Sequence, residues 1–106
     1  MVTRKDLPLT TASIQGCHAA IDFQHQHPEL AKHWQQTSNY LVFLSTDNEE
    51  TLNELINKAK LRDILYTKFN EPDLNNELTA VAFEPSEASR KLLSNLPLMR
   101  KEVTND

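Results

Sequence analysis

Thr11, Gln15, His18 and Asp22 recur three or four residues apart. Side chains at that spacing share one side of an α-helix, so the set would form a polar stripe. An imidazole beside a carboxylate one turn further on can take a proton from water attacking an ester, with Gln15 orienting the reacting group. The same His18 is equally the packed, hydrogen-bonded histidine of a helix–sheet contact. A second polar group lies between two apolar runs, where Asn70-Glu71-Pro72-Asp73 and Asn75-Asn76-Glu77 lead into Leu78 and Thr79. A carboxylate from Glu71 or Asp73 could activate water or hold a sugar hydroxyl. Asn76 adds hydrogen-bonding groups, and Thr79 could point its hydroxyl into the same space. Read without chemistry, the stretch is an acidic turn containing proline.

Other chemistries are excluded by composition. Gly16 is the only glycine and Cys17 the only cysteine, so glycine-rich phosphate loops, internal disulfides and multi-cysteine zinc sites are ruled out. Cys17 falls among apolar positions and reads as a small hydrophobe. His25, His27 and His33 suggest a metal site, but helical residues two apart diverge by about 200°, so no metal and no cofactor is expected. Eleven Lys and Arg against 15 Asp and Glu give a net charge of −4, which leaves little for tight non-specific nucleic-acid binding. Lys58, Lys60, Arg62 and Lys68 form the densest basic group, diluted by Asp63. The longest apolar run, Tyr40–Leu44, is far short of a bilayer span, and the opening residues lack the apolar stretch of a signal peptide. A soluble, cytoplasmic protein without membrane contact is expected.

The elements that position these residues follow from apolar spacing. Ile14, Cys17 and Ile21, with Ala12, Ala19 and Ala20 between them, predict a helix over residues 10–26, capped by Thr10 or Thr11 and buried along its Ile14–Cys17–Ile21 face. Pro28 ends it and opens a short second helix to Trp34, whose indole should pack against the sheet. Tyr40–Ser45 predicts a strand buried on both faces. Asp47 as cap and Glu50 reaching back start a helix whose Leu52, Leu55, Ile56 and Ala59 make an amphipathic face. Strands over Ile64–Phe69 and Leu78–Phe83 flank the polar loop 70–77, and Ser86 caps a last helix over Glu87–Leu96, stopped by Pro97. Val2–Arg4 is too short to make a convincing strand alone, and Arg100–Asp106 reads as a frayed polar end. Alternating strands and helices predict one α/β domain over 1–97 and a polar tail over 98–106.

Arg4-Lys5-Asp6-Leu7 followed by Gln15-Gly16-Cys17-His18-Ala19-Ala20 resembles the opening of the type 2 peptidyl-tRNA hydrolases, in which a strand ending R-x-D-L precedes a helix carrying G-K-x-x-A-Q-x-x-H-A. Asp47-Asn48-Glu49-Glu50-Thr51-Leu52 is similar to that family's D-E-E-x-L, and Leu78–Pro85 is similar to its closing T-x-L-A-I-G-P. The matches keep their order over residues 3–97, which outweighs any one of them. The resemblance implies a three-layer α/β/α fold with a four-stranded mixed sheet, its first strand clipped. It further implies hydrolysis of the ester joining a peptide to the terminal ribose of a tRNA.

On that resemblance, the candidate catalytic residues are Gln15, His18, Glu71 and Thr79, and the candidate substrate-binding residues are Thr11, Asp22, Asp73 and Asn76. The family's catalytic lysine falls on Thr11, and its D-A-G-x-T loop becomes Asn70-Glu71-Pro72-Asp73-Leu74, with Glu71 nearest its aspartate and Asn70 the alternative. These departures support a rival expectation: the fold kept as a binding or regulatory module without hydrolysis, as a homodimer or within a larger complex.

Overall fold

The computed structural model describes residues 1–99, so the predicted frayed end Arg100–Asp106 lies outside the described residues. The chain runs β1 (Val2–Arg4), α1 (Leu9–Gln26), α2 (Pro28–Gln36), β2 (Leu44–Thr46), α3 (Glu49–Leu61), β3 (Tyr66–Glu71), a 3₁₀ turn (Pro72–Leu74), β4 (Glu77–Phe83) and α4 (Glu87–Leu92). The strands form one mixed sheet in the order β2-β1-β4-β3. β1 is parallel to β2 and antiparallel to β4, and β4 is antiparallel to β3. Val2–Arg4, unconvincing as a strand in isolation, is therefore central. Partners on both sides supply the pairing that three residues cannot generate locally.

Helices cover both faces, giving three α/β/α layers. On one side Leu52, Leu55 and Ile56 of α3 pack on Val2, Leu78 and Val81, with Leu93 and Leu96 at the margin. The apolar spacing in α3 predicts this face correctly, and burying a leucine such as Leu52 contributes about 1.5–3 kcal/mol. The helix is capped one residue later than expected. Asn48, with extended backbone, accepts from Thr51 N–H while Thr51 Oγ1 accepts from Asn48 N–H. Asp47 instead faces Lys5 at 3.8 Å. Ser86 caps α4 as predicted, but that helix ends at Leu92.

On the other side the register of α1 is the reverse of the expectation. Ala12, Gln15, Gly16, Ala19 and Phe23 face the sheet, while Ile14 (51% exposed), Cys17 and Ile21 (63%) face solvent. The helix lies so close to the strands that small side chains fill the contact, and the large apolar residues that dominate a periodicity are left outside. The helix also starts at Leu9, with Pro8 at its N-cap and no side-chain cap, so neither Thr10 nor Thr11 plays that part. At Gly16 there is no room for a side chain: a Cβ there would run into the Phe43 ring.

The predicted strand over Tyr40–Ser45 shrinks to Leu44–Thr46, leaving Tyr40 (78% exposed) and Leu41 (66%) at the surface. Tyr40, Leu41 and Val42 are left exposed, and the segment is tied to α2 through Trp34 Nε1 donating to Tyr40 O at 2.8 Å. On the outer edge of β2, Ser45 N–H donates to Pro97 O and Met99 N–H to Phe43 O.

The Gly16–Phe43 contact gives a double-mutant test. Gly→Ala within a helix gains about 1 kcal/mol by itself, whereas forcing a methyl into a packed contact costs about 1–3 kcal/mol. Gly16→Ala should therefore fail to stabilise the parent protein and should raise the stability of a Phe43→Ala background by about 1 kcal/mol. Urea unfolding of the four proteins checks it.

Candidate active site

The site begins with an irregularity in β4. Phe69 pairs with Ala80 and Asn70 with Leu78, so Thr79 is an extra residue without a cross-strand partner. Such a bulge re-aims a side chain, and here it turns the Thr79 hydroxyl under α1. Both backbone groups of the neighbouring Leu78 are taken by side chains. Its N–H donates to Glu49 Oε2 at 2.8 Å, and its C=O accepts from Arg4 at 3.0 Å. Arg4 is itself held by two bonds to Asp6, each 2.9 Å, and one to Glu77 at 2.8 Å. The guanidinium, largely buried, pulls Asp6 below its ordinary carboxylate pKa, and the Asp6 bonds raise that of Arg4. One end of β1 and the first turn of α3 thus fix the bulge from both sides.

Thr79 Oγ1 donates to Gln15 Oε1 at 2.6 Å, with a longer contact of 3.3 Å to Phe69 O. Gln15 Nε2 in turn donates to Glu71 Oε1 at 2.9 Å. Thr79 and Gln15 are buried, whereas Glu71 is only half-buried, so the chain of bonds runs from the core to a carboxylate at the surface. Glu71 Oε2 also accepts from Asp73 N–H at 3.3 Å. The Gln15 bond first, then the Asp73 N–H, hold Glu71 below its ordinary 4.5, with a smaller electrostatic pull from His18. His18 lies flat on Phe69, ring centroids 4.4 Å apart and planes 5° from parallel, one helical turn beyond Gln15.

Four of the residues predicted for catalysis, Gln15, His18, Glu71 and Thr79, are thus gathered where α1 crosses β3 and β4. The residues predicted to bind substrate divide. Asp73 contributes its backbone N–H rather than its carboxylate. Asn76 makes the turn: it adopts a left-handed backbone (φ 58°), donates N–H to Glu71 O and accepts from Asn70 Nδ2. Thr11 is half-buried one turn before Gln15. The expected His18–Asp22 pair does not form among the described residues; the His18 ring is drawn to Phe69 instead. Sequence reasoning missed Phe69 and the Arg4 clamp. Both had a signal, Phe69 lying two residues before Glu71 on the same strand face, and Arg-x-Asp closing a strand.

The chain is thus a three-layer α/β/α protein in which a buried glutamine joins a bulged threonine to a surface carboxylate, and sequence comparison gives it a family. The chain matches the family model described as Peptidyl-tRNA hydrolase PTH2 over residues 1–99, and it belongs to that family. No curated protein matches the chain. Among the described residues, no helix is long and apolar enough to cross a membrane.

Replacing Gln15 by Leu removes the donor that does most to lower Glu71, so its titration, followed by carboxyl NMR, should move up toward 4.5. A group with a depressed folded pKa contributes stability above its ordinary value and loses it as pH falls through the folded one. The stability gap between the parent and Gln15→Leu should accordingly narrow as pH drops below 4.5.

Proposed function

We propose that the protein is an ester hydrolase that frees peptide, or a blocked amino acid, from the terminal ribose of tRNA by attack of water. The observation that carries this reading is the Thr79–Gln15–Glu71 chain of hydrogen bonds, ending beside His18 in a member of this family. Thr79 fixes the Gln15 amide with its nitrogen outward, and that nitrogen has a second N–H beyond the one given to Glu71. The spare N–H is the group we assign to the ester carbonyl oxygen. Glu71, lowered below 4.5, is ionised at neutral pH and weakly basic. It suits steadying a positive charge on His18, and His18 is the better acceptor for the proton of the attacking water. On the family resemblance, Asp73, Asn76, Asp22 and Thr11 are assigned to holding the ribose end. The same reading makes tRNA the partner and the cytoplasm the place of action.

A second reading, a binding or regulatory module without hydrolysis, is favoured by one feature: Thr11 stands where the family resemblance places a lysine. The two are separated by incubating the protein with N-blocked aminoacyl-tRNA and following free tRNA. The hydrolase reading expects turnover that falls in Glu71→Gln, and a gain in Thr11→Lys of about 10²–10³-fold, the worth of one oxyanion-stabilising donor. Turnover unaffected by Glu71→Gln removes that residue from the site. Turnover confined to Thr11→Lys selects the module.

A further inference from the structure

The His18 imidazole has two faces, and the fold uses one of them. Phe69 lies against it, parallel to within 5° and with ring centroids 4.4 Å apart. Both rings are held from behind. Phe69 is half-buried and packs on the cluster of Ala19, Phe23, Ala80 and Ala82. His18 sits on α1 three residues after Gln15, which is tied to Thr79 and Glu71. The His18 side chain is exposed, so the face turned away from Phe69 meets solvent. Ile14, one turn earlier on the same side of α1, is 51% exposed and leaves apolar surface beside the ring.

A fixed aromatic face with apolar surface at its side takes another flat ring. Every nucleobase has such a face, and stacking on aromatic side chains is how proteins hold unpaired bases. Charge decides which part of a nucleotide suits the position. Helix α1 and residues 70–76 carry Asp22, Glu71 and Asp73 and no Lys or Arg, so phosphate is opposed there and an uncharged base is not.

We propose that the outer face of His18, backed by Phe69, is a stacking subsite for a purine base, whose two fused rings cover the imidazole more fully than a pyrimidine. That this base belongs to the nucleoside whose ribose ester is hydrolysed rests on the hydrolase reading; the stacking does not. The imidazole nitrogens lie at the ring edge, so a base on the face leaves them free to accept a proton. His18 therefore has two separable tasks, one carried by its flat face and one by its nitrogens.

The probe is adenosine, titrated into the full chain and followed by proton NMR. His18→Phe keeps a flat face and loses the nitrogens, and His18→Ala loses both. The Cε1–H resonance of His18, one of four histidines, should move upfield and saturate, together with the base protons of adenosine. Binding should persist in His18→Phe and weaken about tenfold in His18→Ala. Turnover of N-blocked aminoacyl-tRNA by the same protein separates the two readings. Saturable adenosine shifts in a protein that releases no tRNA would support the subsite and remove the hydrolase. Turnover by a protein whose His18 resonance adenosine leaves unmoved would keep the hydrolase and overturn the subsite. Equal adenosine binding by the parent and His18→Ala would overturn it too, and so would uridine binding as tightly as adenosine.

Discussion

A glutamine amide buried under a helix must have its oxygen and nitrogen satisfied, because an unpaired buried group costs about 1–3 kcal/mol. Gln15 meets that constraint with Thr79 on one side and Glu71 on the other. The consequences spread outward from it. Gln15 can reach both only where α1 lies close on the sheet, and that closeness is why Ala12, Gly16 and Ala19 occupy the contact while Ile14 and Ile21 are left at the surface. Removing the Thr79 hydroxyl would free the amide to turn, and the carboxylate would lose the donor that does most to lower its pKa.

The bulge is the second half of the same constraint. A regular β4 would alternate strictly and send Thr79 toward α3, away from Gln15. Skipping one residue in the pairing reverses that parity and leaves Thr79 without a cross-strand partner. Glu49 accepts from the N–H of the neighbouring Leu78, and Arg4 donates to its C=O. The Arg4–Asp6–Glu77 cluster therefore acts on the site through the backbone of β4, without a contact to Gln15, Glu71 or His18 among its hydrogen bonds.

Much of this architecture was legible from residue types. The α3 face, the Ser86 cap, the helix break at Pro28 and the polar turn around Glu71 follow from spacing and local chemistry, and the three-layer order followed from the family resemblance. The failures share a cause. Ile14, Cys17 and Ile21 do lie on one helical face, but periodicity cannot say which face meets the sheet when the contact is made by alanine and glycine. Tyr40–Val42 has the composition of a buried strand, yet composition carries no knowledge of whether a layer covers it. The bulge at Thr79 left no mark in the sequence, because the pairing of two strands is a non-local property.

The sheet thus has two unlike ends. One is closed by polar groups joined from core to surface, and the other borders a cavity lined by Phe23, Trp34, Tyr40 and Phe83. The central claim is that Thr79, Gln15 and Glu71 act on the ester as a unit. A double-mutant cycle of Thr79→Val and Glu71→Gln, read as turnover of N-blocked aminoacyl-tRNA, tests it most directly. Members of a working unit are strongly non-additive, so the account predicts that the double variant is scarcely slower than the worse single one. Losses that multiply would show two residues acting independently and would contradict it.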